Sequence, residues 1–509
     1  MSFVCEWWPG EINMTNITHL DDYLEQLLTQ YRVDRVHARQ VAKHALTLFD
    51  ALQPKHGWSA TDRDLVEAGA LLHNVGLTTD PAEHHLVGRD IVLRHSLGDT
   101  VTQAILGAII ALHRRKPRFQ IEPSVLCLKK RHRRLALQLA AIVRVADGFD
   151  YSQTQTTQVQ VASQNGRLRL IVSGPHAAVD AERASAKADL WERVIGTRPE
   201  IVVQSEGSVV EAVAGEDEPT ELLPYWYASG EVSFAELGRV VLRRHLRRLQ
   251  QTARAVKDDE TIEAVHDLRV ATRRIRAALR LLAPVVPVKP AKRATEMVRT
   301  LAREASAIRD RDVLLSDMTH RNILGLEPII EAVRAERMAA HAELLAHLSS
   351  DQYERELRRL AQLACFSTGW DDRPRVRDQA GSMLYAHYEA LRSYDRNGLP
   401  EDDASLHAMR IAGKRLRYAL ELIGDIVGER LNDLLQPLID FQDHLGALND
   451  ISVARGLLAP YTVHHTAVAE YMAEREAEWA TLRAELPECW NVLAGADYRH
   501  RLLAIIGDL

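Results

Sequence analysis

The feature that most constrains this 509-residue chain is a repeat inside it. HDLRVATRRIRAALRLL, beginning at His266, matches HAMRIAGKRLRYALELI, beginning at His407, at an offset of 141 residues. A repeat of that length makes two related structural units of the region from about residue 225 to 509. Drawn on a helix that advances 100° per residue, His266, Arg269, Arg273, Arg276 and Arg280 fall within an arc of about 80°. Leu268, Ile275, Leu279 and Leu282 point well away from that arc. The second copy sets His407, Arg410, Lys414 and Arg417 on one side and Leu416, Leu420 and Ile423 on the other. Each copy therefore reads as a helix with one core face and one cationic face.

Most charged helical faces are simply solvated, but the sign bias here is unusual. Between Leu268 and Ala294 stand eight Lys or Arg residues and no Asp or Glu, and the same bias returns from Leu406 to Leu420. Like charges three and four residues apart repel, a local penalty that an anionic ligand would reverse. Arg269 to Arg280 spans about 16 Å at 1.5 Å per residue, which suits an extended anion better than a single phosphate. Arginine's planar fork fits phosphate oxygens bidentately, and lysine adds a point charge. Tyr418 is the only aromatic residue in either motif. The stacking platform of single-strand binders is thus missing, no duplex-docking module stands out, and no specific nucleic-acid partner is expected.

Composition places the chain among soluble globular proteins, with 46% apolar and 26% charged residues and a net charge of −6 that is unevenly spread. Cys5, Cys127, Cys365 and Cys489 lie too far apart for a CxxC pattern and suggest a reducing compartment, by default the cytoplasm. No basic leader precedes an apolar core and no run is long enough to span a bilayer, so neither export nor membrane attachment is expected. Helical periodicity runs from Leu20 to about Phe149, punctuated at Pro54, Gly76 and Pro81. TTQVQVA and LRLIV then alternate around Asn165-Gly166, which predicts a hairpin. A helix over about 179–195 and a third strand at PEIVVQ follow. The stretch 206–224 carries Glu206, Glu211, Glu216, Asp217, Glu218 and Glu221 without a basic residue and reads as an acidic linker. The expected organisation is a helical domain over 1–205 with a small α+β part from about residue 155, the linker, and a helical domain over 225–509.

The first domain also carries His44, His73-Asn74, His84-His85, His113 and Asp147 in that order. A lone histidine on an apolar helix is usually a core residue, but histidines with a distant carboxylate can ligate first-row metals. Such a metal lowers the pKa of bound water for phosphoester hydrolysis. Arg114, Arg115, Lys116 and Arg118 form a basic segment beside His113 that reads either as a substrate-side loop or as a solvated helix end.

Two family resemblances follow. The paired H-x-x-R-x-x-x-[RK]-R-x-R helices, with RDRDVLL at Arg309 and LNDISVA at Leu448, resemble the conserved histidine α-helical domain, CHAD. That resemblance implies a mainly α fold of two pseudo-twofold-related four-helix bundles over residues 225–509. It also implies inorganic polyphosphate bound in a shared groove by His266, Arg269, Arg273, Arg276, Arg280, His407, Arg410, Lys414 and Arg417, with Arg303, Arg309, Arg239 and Arg243 as candidates to extend it. His266 and His407 read equally as phosphate donors or as helix-orienting partners. The pieces AGALLHNVGL, HHLVGRDIVL, ALHRRKP, RLALQLAAIVRVADGFDYS and ADLWERVIGTRPEIVV resemble the HD-like domain of the exopolyphosphatase and guanosine pentaphosphate phosphohydrolase family. Its His-Asp pair is His73-Asn74 here, and the amide weakens a metal site. The resemblances imply a polyphosphate-binding protein with a degenerate HD-like domain, located in the cytoplasm with polyphosphate granules. The alternative is a metal-dependent phosphohydrolase in which His44, His73, Asn74 and Asp147 hold Mn, Fe or Mg.

Overall fold

The computed structural model describes residues 18–509 except 96, 165–166, 205–221, 259–260, 397 and 462–464. They form two compact units that divide between Pro224 and Tyr225. The Asn165-Gly166 dipeptide and nearly all of the acidic stretch 206–224 lie outside the described residues.

In the first unit, α1 (Thr18–Gln30) leads to α2 (Arg35–His56), whose first amides are capped by the Asp34 carboxylate. Pro54 does not end α2, as the sequence suggests it should. It sits in the last turn, and the helix stops at Gly57, whose left-handed backbone (φ 66°) lets its N–H reach the Gln53 carbonyl. A capping box between Ser59 and Asp62 starts α3 (Ala60–Leu71). Then come α4 (His84–Arg94), α5 (Thr100–Leu112), the short α6 (Pro123–Leu126) and α7 (Lys130–Gly148). α5 is apolar on nearly all sides and is buried from Gln103 to Leu112, packed between α4, α3 and α7.

β1 (Gln158–Gln164) pairs antiparallel with β2 (Arg167–Ser173), with Gln164 opposite Arg167. β3 (Glu200–Val203) lies parallel to β2 on its other side. Where one helix over about 179–195 is predicted, two form, α8 (Ala177–Ala186) and α9 (Asp189–Val194), with Lys187 and Ala188 between them. That break points Lys187 at the end of α7, where the site lies.

The regular secondary structure of the second unit's described residues is all helical, apart from isolated bridges. Its first half comprises α10 (Phe234–Asp258), α11 (Ile262–Leu281), α12 (Val288–Arg321), α13 (Glu327–Leu348) and α14 (Asp351–Cys365). The second half comprises α15 (Val376–Arg392), α16 (Asp403–Leu422), the single turn α17 (Gly424–Val427), α18 (Asn432–Leu458), α19 (Thr466–Ala494) and α20 (Ala496–Gly507). The packing repeats: α11 lies against α10 and α12 as α16 lies against α15 and α18. On α12, Val298, Leu301, Ala305 and Ile308 are buried, and so are Leu438, Phe441, Leu445 and Leu448 of α18. The repeat therefore runs at an offset of 140 on this pair of helices, one residue shorter than on α11 and α16. The halves meet where α11 touches α16 and α12 touches α18. At one end they share an apolar core of Leu314, Met318, Ile329 and Val333 with Leu458, Val468 and Tyr471.

Candidate functional site

The first unit gathers four imidazoles at its centre. His37 enters from the first turn of α2, His73 from the turn after α3, His84 from the start of α4 and His113 from the end of α5; all are buried. His37 Nε2 lies 3.2 Å from His73 Nε2, and His84 Nε2 lies 3.1 Å from His113 Nε2. The rings of His73 and His113 meet edge to face at 5.2 Å. Gly76 makes this approach possible, because a Cβ there would stand 2.3 Å from the His84 carbonyl oxygen.

Hydrogen bonds place the protons. His73 and His113 donate Nδ1–H to the carbonyls of Ala70 (2.6 Å) and Ile110 (2.7 Å), so their Nε2 atoms are acceptors. His113 Nε2, as an acceptor, takes the His84 Nε2–H at 3.1 Å, while His84 Nδ1 meets both Arg114 Nη1 at 2.9 Å and the Pro81 carbonyl oxygen at 3.0 Å. His37 donates Nδ1–H to Asp150 at 2.8 Å and Nε2–H to His73, and is therefore an imidazolium. Burial alone would lower the His37 pKa, but hydrogen bonds and charge from Asp147 and Asp150 raise it to about 9. Burial lowers His73 to about 4 and pushes His113 well below the ordinary range. Burial would raise Asp147, yet Lys187, ion-paired to its Oδ2, and His37 hold it well below the usual carboxylate range.

His37, His73 and Asp147 offer ligand atoms that all lie within 4.8 Å of one another. Two imidazole nitrogens and a carboxylate suit a first-row divalent ion, and the side-chain oxygen of Asn74, next in sequence to His73, is buried with no hydrogen-bond partner among the described residues. This group could hold a metal. The two carboxylates are already balanced by His37 and Lys187, so an ion would have to displace the His37 Nε2 proton.

Of the four ligands expected from the sequence, His73 and Asp147 belong to the group and His44 lies outside it. Its Nε2 is 3.1 Å from Gln40 Nε2, its ring packs on the edge of Phe149, and burial lowers its pKa to about 4. His37 and His44 are seven residues apart and so share one face of α2, which periodicity could not separate. A cavity of about 660 Å³ opens beside the group, lined by Arg114, Arg115, Lys116, Arg144, Arg183 and Lys187 as well as by Asp147 and Asp150. Its basic wall includes three of the four cations noted after His113.

In the second unit, α11 and α16 bring their cationic arcs together. Lys414 of α16 has Arg410, Arg273, Arg269 and Arg417 as its charged neighbours, and burial together with their repulsion lowers its pKa to about 6. Equivalent seats hold the two leading arginines: Arg269 Nε bonds Ser306 Oγ at 3.0 Å, and Arg410 lies over Gly446, where a Cβ would be 3.4 Å from Nη2. His407 Nδ1 bonds Asn449 Oδ1 at 2.7 Å, while His266 lies near Arg309, at the position equivalent to Asn449. Arg309 thus lies within electrostatic range of His266 at the edge of the cluster. Arg303 is exposed on α12. Arg276 and Arg280 continue the row along α11. The Nε atoms of Arg273 and Arg410 are buried with no acceptor among the described residues, an unfavourable state for a donor. Arg239 and Arg243, two of the sequence's candidates for lengthening the row, serve structure instead. Both pair with Glu236 within α10, Arg239 also bonds Asp372, and Arg243 bonds the Ala364 carbonyl at 2.9 Å.

Residues 240–459 match the CHAD domain family, and residues 21–179 match the Ppx/GppA phosphatase family, domain III. The chain carries a CHAD domain behind a Ppx/GppA domain III. Two proteins of Mycobacterium tuberculosis, from strains CDC 1551 / Oshkosh and ATCC 25618 / H37Rv, both called uncharacterized, are each 29% identical over 206 residues. The match covers 37% of this chain and 40% of each of theirs, so it spans well under half the length of these relatives. A crystal structure of the CHAD domain from the plant Ricinus communis aligns with 26% identity over 55% of this chain and 94% of that one, at a TM-score of 0.43. PptA from Streptomyces chartreusis aligns with 18% identity over 51% and 99%, also at 0.43. Among the described residues no helix is long and apolar enough to cross a membrane.

Proposed function

We propose that the protein binds inorganic polyphosphate in the CHAD domain, with the two halves acting as pseudo-twofold-related bundles whose basic helices form the walls of one groove. One observation carries this reading: Arg269, Arg273, Arg410, Lys414 and Arg417 are concentrated between α11 and α16, and only Arg417 has a carboxylate within ion-pair reach among the described residues. Concentrated, partly buried like charge destabilises a fold unless an anion arrives, and a repeating chain of phosphates meets such a surface at many points. The cytoplasm, and polyphosphate granules within it, is the location this ligand implies.

The test is binding of fluorescent polyphosphate at physiological salt, with DNA as competitor. Arg269→Glu, Arg273→Glu, Arg410→Glu and Lys414→Glu together should abolish it. Full binding by a folded quadruple variant would refute the reading, and equal displacement by DNA would make the surface a general polyanion site.

The His37, His73 and Asp147 group and its basic cavity favour a second reading, in which domain III is a metal-dependent phosphohydrolase. His37, His73 and Asp147, with Asn74 next in sequence to His73, would hold Mn, Fe or Mg, and the metal would supply an activated water. Arg114, Arg115 and Lys116 would orient the phosphate. The counter-charge that His37 and Lys187 already give Asp147 favours the noncatalytic version. Metal analysis of the purified protein and phosphate release from polyphosphate with each metal separate the two, and His73→Ala should remove both metal and activity if the enzyme reading holds.

A further inference from the structure

The two ends of the cationic crossing in the CHAD domain differ. The repeat sets Arg280 against Glu421, Arg415 against Arg274 and, on the outer helices, Arg299 against Ile439. At one end Arg280 lies within electrostatic range of Arg276, Arg299 and Arg415, and Arg280 and Arg415 both bear on His387 of α15. Arg280, Arg299 and Arg415 are exposed, and none has an ion pair among the described residues.

The equivalent positions at the other end are neutralised. Glu421 stands 3.9 Å from Arg274 and 3.5 Å from Arg417, and Asp425 accepts from Arg244 at 2.7 Å. His245 there is half-buried beside α11, with Arg274 and Arg244 as charged neighbours. A twofold repeat that keeps its central cations yet carries three uncompensated arginines at one end, and a paired Arg and Glu at the other, has lost its symmetry in charge alone. The packing around the two ends still corresponds, since α11 meets α10 and α12 as α16 meets α15 and α18.

We infer that Arg280, Arg299 and Arg415, beside His387, form an end subsite that grips polyphosphate beyond the central cluster, so that a long chain leaves the groove at this end only. The subsite rests on the polyphosphate reading above and takes the part of the polymer that a short oligomer does not reach. Planar guanidinium groups spread over three helices match successive phosphates along an extended chain. At the opposite end Glu421 and Asp425 already occupy the arginines that the chain would need.

The double variant Arg299→Gln/Arg415→Gln tests it, since both side chains are exposed and folding can be checked by its melting temperature. Affinity is measured for tripolyphosphate and for long-chain polyphosphate over a series of salt concentrations. The long chain should lose about tenfold or more in affinity and show a shallower salt slope, while tripolyphosphate is unaffected. Arg499→Gln/Arg501→Gln on α20 removes the same charge elsewhere and should change long-chain affinity by less than about twofold. Equal loss for both ligands, no loss for either, or an equal effect of the α20 variant would overturn the subsite and leave polyphosphate binding standing. Failure of the unaltered protein to bind polyphosphate of any length would overturn both.

Discussion

Lys414 should make polyphosphate binding proton-linked. Its pKa falls from 10.5 to about 6 because burial and the repulsion of Arg410, Arg273, Arg269 and Arg417 oppose its charge. In the free protein above about pH 7 its amine is therefore mostly neutral. A bound phosphate chain supplies the missing counter-charge and returns the pKa towards its ordinary value, so binding takes up close to one proton between the two values. Affinity should then fall with rising pH by up to about tenfold per unit, about 1.4 kcal/mol, between about pH 7.5 and 9.5, a window above the titration of phosphate end groups. The sign for the empty fold is opposite. The unfolded chain holds the Lys414 proton up to about pH 10.5 and the native state releases it near 6, so this residue's contribution to stability rises with pH across that window. Calorimetric titration in two buffers of different ionisation enthalpy counts the protons directly. Lys414→Arg, permanently charged, should keep tight binding and lose the slope. A flat profile in the unaltered protein, or the same slope in Lys414→Arg, would refute the linkage.

Further outcomes can be checked by denaturant titration. Arg89 is buried with Asp90 at 3.0 Å and Glu122 at 3.1 Å, and Arg89→Met should cost about 3–5 kcal/mol by stripping two buried carboxylates of their shared cation; a loss below about 1 kcal/mol would show that water already compensates them. Gly76→Ala drives a methyl to 2.3 Å from the His84 carbonyl oxygen and 2.6 Å from the Gly88 amide nitrogen, backbone atoms that cannot step aside. It should cost about 1–3 kcal/mol and spread the imidazoles, read as changed histidine NMR shifts. Asp180 accepts the Ser152 N–H at 2.8 Å and the Ser152 hydroxyl at 3.0 Å, and also bonds Thr157. Asp180→Ala should cost about 1–3 kcal/mol by orphaning those donors, and an unchanged midpoint would contradict the network.

The CHAD helices were legible because their chemistry is periodic: the sign bias on α11 and α16 lies in consecutive residues and recurs at a fixed offset. The hairpin strands and the third strand were legible for the same reason. The first unit's site was less so, because its members come from α2, the turn after α3, α4, α5 and α7 and meet only through packing. Nothing in the stretch around His37 separates it from His44. The deciding facts are Asp150 on its Nδ1 side and His73 on its Nε2 side, 113 and 36 residues away. Arg239 and Arg243 misled in the other direction, since their acceptors at Asp372 and the Ala364 carbonyl lie in a distant segment.

The hydrogen bonds from His73 and His113 to Ala70 and Ile110 each reach back three residues along the chain. Each ring is therefore aimed by its own local backbone, and its orientation is fixed when the turn folds rather than when a ligand arrives. The rotational entropy that most polar pockets surrender on binding has already been lost here. Whatever engages these nitrogens will meet an arrangement that yields little, so selection among ligands should follow fit to a rigid frame and show itself in dissociation rates more than in conformational change.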